Sequence, residues 1–164
     1  MATTSTTDDT GKGETRKERG NLGEVAAQEF LEKRGYQIVD VNVRFGSRRD
    51  GLPGEIDIVA WDGPTLCFVE VKTRSRSSIA TPKGAVTRAK QRQIARLALA
   101  YAAHHGLLDD EADAPLRFDV VAVTVSPGRP PAPEREPNES SLVRHTELLQ
   151  GAFLAPDGFA DGFQ

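Results

Sequence analysis

Asp57, Glu70 and Lys72 sit on two apolar runs, "GEIDIVAW" and "TLCFVEVKT", separated by the turn signal "DGP". Asp and Glu are poor strand residues, so charge in a segment suited to building a core needs a chemical reason. Side chains alternate faces along a strand. Glu55 and Asp57 are therefore expected on one face with Ile56 and Ile58 on the other, and Glu70 and Lys72 opposite Val69 and Val71. A turn at Asp62-Gly63 would pair Ala60 with Thr65 and Glu55 with Glu70, gathering Glu55, Asp57, Glu70 and Lys72 on one side. An ordinary half-exposed hairpin explains the alternation. It does not explain like charges facing each other across strands, which destabilise a sheet. Carboxylates crowded at low dielectric keep a proton unless a cation neutralises them. A hard divalent ion, Mg²⁺ or Mn²⁺, resolves that conflict, with oxygens from Asp57, Glu70 and the Val71 carbonyl between them. Such an ion acidifies bound water and neutralises charge on a phosphodiester. Lys72 would then orient the water or stabilise the oxygens of the reacting phosphorus.

The charge distribution points to the same kind of substrate. Net charge is −3 overall. Yet residues 71–108 contain no acid and eight bases, Lys72, Arg74, Arg76, Lys83, Arg88, Lys90, Arg92 and Arg96. The segment from Asp109 onward carries eleven acids against four arginines. Local potential governs the choice of an anionic partner more than pI does; the alternative is a solvated helix face. Arg74, Arg76, Arg88, Lys90 and Arg92 are candidates for holding a phosphate backbone, as are Arg44 at a strand end and Arg48 and Arg49 in the loop before the motif. For Arg44 a plain surface role stands beside that one.

These residues need elements to position them. Residues 1–19 are Thr-rich and charged without apolar periodicity, which reads as a disordered tail. "NLGEVAAQEFLEKRGY" reads as a helix with Leu22, Val25, Ala26 and Phe30 at helical spacing, stopped by Gly35. "YQIVDVNVRF" is a strand, and the two motif strands follow. A second helix is expected from about Ala85 to His105, its core stripe Ile94, Leu97, Ala98 and Tyr101, with Arg88, Arg92 and Arg96 on the far side. Lys90 and Gln91 fall on its inward edge. "LRFDVVAVTV" reads as a strand buried on both faces. After a Pro-rich loop over 126–140, "SLVRHTELLQGAF" reads as a short last strand leading into a helical turn, and residues 155–164 as a flexible tail. The fold class is therefore α/β: one domain over residues 20–154, a mixed sheet carrying helices. Cys67 is the only cysteine, so neither a disulfide nor a cysteine zinc site is expected. No apolar run approaches the roughly 20 residues of a membrane span, and the start lacks the pattern of a signal peptide. The expectation is a cytoplasmic protein without a membrane partner. His104, His105 and His145 lack metal-ligand spacing, and Asp119 is expected to pair with Arg117 or a neighbouring element.

"GEIDIVA" followed by "FVEVKTR" resembles the motif of the PD-(D/E)xK nuclease superfamily. Taken with "NLGEVAAQEFLEKRGYQIVDVNVR", "KQRQIARLALAYA" and "RFDVVAV", the chain is similar to the YraN-like family of bacterial proteins over residues 20–125. The resemblance implies an αβββαβ, restriction endonuclease-like core related to Holliday-junction resolvases. It carries over Asp57, Glu70 and Lys72 as the catalytic set. It makes Glu24 a first-helix glutamate assisting the metal, where the residues alone favour a solvent-facing side chain. It also makes Gln91, or Lys90 beside it, the second-helix polar residue facing the site. Ile56-Asp57 replaces the superfamily's leading Pro-Asp. The reading favoured is a metal-dependent endonuclease acting on DNA, with branched or structured DNA among the candidates. A nucleic-acid-binding module of the same fold with little turnover is the alternative. Junction-cutting relatives work as dimers, which leaves a homodimer open.

Overall fold

The structure is a computed structural model and describes residues 16–45, 52–75, 86–108, 114–126 and 143–155. The expected tail over 1–15, most of the Pro-rich loop, the tail from 156, and Arg48, Arg49 and Arg76 lie outside the described residues. In chain order the elements are α1 (Arg16–Glu32), β1 (Gln37–Phe45), β2 (Leu52–Asp62), β3 (Thr65–Ser75), α2 (Arg88–His104), β4 (Leu116–Val125) and β5 (Val143–Phe153). The strands form one sheet in the order β1-β2-β3-β4-β5. All neighbours are antiparallel except β3 and β4. A parallel pair needs a long crossover, and α2 supplies it.

The two helices cover opposite faces. Ile94, Leu97, Ala98 and Tyr101 of α2 pack with Val59, Phe68, Phe118 and Val120. Ala27 and Leu31 of α1 pack with Ile58, Val69, Val121 and Val123. β4 thus contributes alternate residues to both layers, as its unbroken apolar run requires.

Several elements depart from expectation. α1 begins at Arg16, inside the segment read as tail, with Glu18 in its first turn where the helix dipole favours an acid. Its fully buried side chains are Ala27 and Leu31, with Leu22 and Ala26 packed against the same cluster as expected. Val25 is 53% exposed, and Phe30 lies under the Arg34 guanidinium at 3.7 Å. Gly35 does end the helix, at φ 87°, with its N–H donating to the Glu32 carbonyl and that of Tyr36 to the Leu31 carbonyl. This is the paired C-terminal closure that a left-handed glycine permits. α2 starts later than Ala85 because Thr87 caps it, its hydroxyl accepting from the Lys90 N–H at 3.3 Å. The β2–β3 turn is only Gly63-Pro64, with Asp62 paired to Thr65 and Ala60 to Cys67. The expected register was therefore two residues out, and Glu55 does not face Glu70. β5 runs as a strand to Phe153 with no helical turn, broken in register where Gly151 adopts φ 56°.

Candidate active site

The β2–β3 ladder runs regularly from the turn to Ile58 opposite Val69. Beyond it, the Val71 N–H donates to Asp57 Oδ2 at 2.7 Å. A side chain thus takes a donor that a regular ladder would give to a main-chain carbonyl. The alternation of β2 slips at this residue. Ile56 packs in the α2 layer and Ile58 in the α1 layer, although both were expected on one face. On β1, Asn42 lies between the pairs Val41–Ile58 and Val43–Ile56, and it adopts φ 53°. Left-handed backbone costs a non-glycine residue about 1 kcal/mol, least for Asn. Irregular strands of this kind re-aim side chains beside active sites.

Glu70 follows on β3 and is 3% exposed. Lys72 Nζ lies 2.5 Å from its Oε1. Lys90 Nζ, arriving from the first turn of α2, lies 3.1 Å from Oε2. That oxygen is buried and has no directed hydrogen bond, so the Lys90 contact is one of charge rather than of hydrogen-bond geometry. Burial raises the Asp57 carboxyl to about 7; the Glu70 charge and, less, that of Glu24 push the same way, against the Val71 N–H and Lys90. Beside the Glu70 charge, the Asp57 carboxyl therefore favours either a bound proton or a neighbouring cation.

α1 sits close to this place because Gly23 has no side chain: a Cβ there would lie 1.8 Å from Thr73 Oγ1. Glu24 follows immediately and lines a cleft of about 380 Å³ with Arg19, Lys72, Thr73 and Arg74. Arg19 was missed in the sequence because it fell in the presumed tail; Glu18 was the available sign that the helix starts earlier. A second cleft, of about 440 Å³, is lined by Pro53, Thr87, Lys90, Arg92, Gln93 and Arg96. Arg88 and Arg92 are exposed on α2 as expected. Of the two inward candidates, Lys90 reaches Glu70, while the Gln91 amide turns back to donate to the Val86 carbonyl at 3.0 Å. Lys90 thus belongs to the acidic pair as well as to the basic cleft.

Glu55 is not part of the cluster. Arg44 donates to its Oε2 through Nε at 2.8 Å and through a terminal nitrogen, so these two candidates engage each other. Among the described residues no three His, Cys, Asp or Glu side chains converge as a metal-ligand group. Glu24 therefore acts on Asp57 at longer range. His104 packs against the Phe45 ring and His105 against Tyr101.

Asp119 is fully buried on the α1 face, nearer the β2–β3 turn. It accepts from Arg117 Nε at 2.9 Å, from the Gly151 N–H at 2.9 Å and from the Tyr36 hydroxyl at 3.3 Å. Arg117 also donates to Asp62 at 2.7 Å, and Gln150 to the Tyr36 oxygen at 2.8 Å. Burial pushes Tyr36 and the Cys67 thiol up to about 12. Asp119 thus pairs with Arg117 as expected, and its carboxylate is satisfied.

The fold and the arrangement at Asp57 and Glu70 define a single α/β domain with the order of a restriction endonuclease-like core. The chain belongs to the family described as "Uncharacterised protein family UPF0102", the YraN family, which it matches over residues 23–123. It is 51% identical over 136 residues to a UPF0102 protein of Symbiobacterium thermophilum, covering 83% of this chain and 96% of that one. It is 44% identical to one of Renibacterium salmoninarum, over 71% of this chain and 91% of the relative. With one of Geobacter sulfurreducens it shares 47% identity, over 68% and 80%. No helix among the described residues is long and apolar enough to cross a membrane.

Proposed function

We propose that this chain is a metal-dependent endonuclease that hydrolyses phosphodiester bonds of DNA, with branched or otherwise structured DNA among its substrates. The observation that carries the reading is the meeting of Asp57, Glu70 and Lys72 just beyond the regular stretch of the β2–β3 ladder, beside two clefts bearing arginines. The donor set suits a hard cation: two carboxylates, one carrying a buried oxygen without a directed donor, and a carboxyl whose charge the site alone does not support. Asp57, Glu70 and the Val71 carbonyl would hold Mg²⁺ or Mn²⁺, with Glu24 adding charge from α1 and waters completing the shell. Bound there, the ion would acidify a water and offset charge on the phosphate. The chain's own residues do the rest. The Val71 N–H fixes the Asp57 carboxylate. Glu70 holds Lys72 at the mouth of the α1-side cleft, where its ammonium can donate to a water or to a phosphate oxygen. Arg19, Arg74, Arg88 and Arg92 supply positive charge for the backbone on either side.

The test is cleavage of branched, nicked and linear DNA in Mg²⁺ or Mn²⁺. Wild type is expected to cut at least one substrate, and Asp57→Ala and Glu70→Ala to lose at least about a hundredfold, the scale of one electrostatic catalytic group. Variants that cut as well as wild type would refute this site. A second reading is favoured by one observation: both Glu70 oxygens already face lysine ammonium groups. On it the chain binds nucleic acid with little turnover, and salt-sensitive binding would survive Asp57→Ala while no metal supported cleavage.

A further inference from the structure

Lys90 is misplaced for a helix. It occupies the third position after the Thr87 cap, in a first turn that holds no acid and also carries Arg88. The N-terminal end of a helix dipole is positive, so lysine there opposes it by a few tenths of a kcal/mol to about 1 kcal/mol. What offsets that cost is Glu70, whose second oxygen meets Lys90 Nζ at 3.1 Å. The same side chain also lines the α2-side cleft with Arg92 and Arg96. Lys90 is therefore shared between a buried carboxylate and an open basic groove, and 26% of its side chain remains exposed.

We propose that Lys90 is an exchangeable counter-ion coupling cation binding at Glu70 to nucleic-acid binding in the α2-side groove. This rests on the reading of Asp57 and Glu70 as a cation site. With no divalent ion present, the ammonium neutralises Glu70. A divalent ion on Glu70 takes over that neutralisation and repels the ammonium. The flexible lysine stem then turns its charge to the groove, where it joins Arg92 and Arg96 against a phosphate backbone. By linkage, phosphate in the groove favours the cation to the same degree. Lys72 is not equivalent: it is hydrogen-bonded to the other Glu70 oxygen and lines the α1-side cleft.

The experiment measures binding, not turnover, on the full chain with Ca²⁺ as a cation that supports binding without cleavage. A labelled DNA duplex is titrated by fluorescence anisotropy across a NaCl series, with and without Ca²⁺, for wild type, Lys90→Gln and Lys90→Met. In wild type, Ca²⁺ is expected to steepen the plot of log K against log salt by about 0.9, one phosphate contact. In the variants Ca²⁺ is expected to leave the slope unchanged. Titrated calorimetrically without DNA, the variants are expected to hold Ca²⁺ at least about tenfold tighter, the scale of one contact to a charged group. Lys90→Met keeps the apolar stem, so a folding defect of the Gln variant alone does not obscure the result. Equal slope changes in wild type and variants, or weaker Ca²⁺ binding in the variants, would overturn the exchange. Cleavage in Mg²⁺ together with equal slope changes overturns the exchange alone. Wild type that neither cleaves nor binds DNA in a salt-dependent way overturns the nuclease reading with it.

Discussion

Replacing Asp57 by Asn removes one ionisable group while keeping an oxygen to accept the Val71 N–H. In the wild type that carboxyl is raised from 3.8 to about 7, chiefly by burial and then by Glu70. The folded chain therefore binds the Asp57 proton more tightly than the unfolded chain does. Stability from this group is fully present below pH 3.8 and is lost as pH rises towards about 7. At 1.36 kcal/mol per unit the full rise is worth about 4 kcal/mol. Because the side chain keeps some contact with solvent and interacts with Glu70, about half of that is the working expectation. The assay is urea denaturation followed by circular dichroism at a series of pH values from about 4 to about 8. Near the acid end the two proteins should be similarly stable. Above about pH 7 the Asn variant should be more stable by about 2 kcal/mol. Mg²⁺ at a hundredfold over its dissociation constant should then recover about 2.7 kcal/mol for wild type and much less for the variant. Parallel pH curves for the two proteins would refute the account of Asp57 as a carboxyl whose charge the fold does not support.

Other perturbations separate structural from functional parts. Asp119→Ala takes the acceptor from Arg117 Nε, the Tyr36 hydroxyl and the Gly151 N–H, while Arg117 keeps Asp62, and should cost about 3 kcal/mol in denaturation. Gly23→Ala drives a Cβ into Thr73 and should cost about 1 to 3 kcal/mol, eased in part by a second change, Thr73→Ala. If Gly23→Ala melts like wild type, the close packing of α1 on β3 is wrong. Gly54→Ala must hold φ near 101° and displace the Gln93 amide, and should cost about 1 to 3 kcal/mol by thermal melting. Arg92→Gln should weaken DNA binding evenly across sequences and lower the salt slope by about 0.9, read by anisotropy.

Local chemistry made much of this protein legible before folding. The β4 run from Val120 to Val123 had to be buried on both sides, and the stripe Ile94, Leu97, Ala98, Tyr101 had to face a core; both do. Gly35 had to end a helix, because left-handed backbone there is cheap only for glycine. The spacing of Asp57 from Glu70-x-Lys72 pointed to one place, since neighbouring strands joined by a tight turn bring such residues together. The rest depended on contacts between distant segments. A two-residue turn rather than a longer one moved the register by two and sent Glu55 to Arg44. The slip between Ile56 and Ile58 breaks the alternation on which any strand reading depends, and it is fixed by two helices packing on opposite faces. Which side of α1 is buried was decided by β3, against which Gly23 and Ala27 fit and Val25 does not. Lys90 looked like one more base on a basic helix. Its partner lies on β3, twenty residues back along the chain, and only the packing of α2 over the sheet brings a buried carboxylate within reach of its charge.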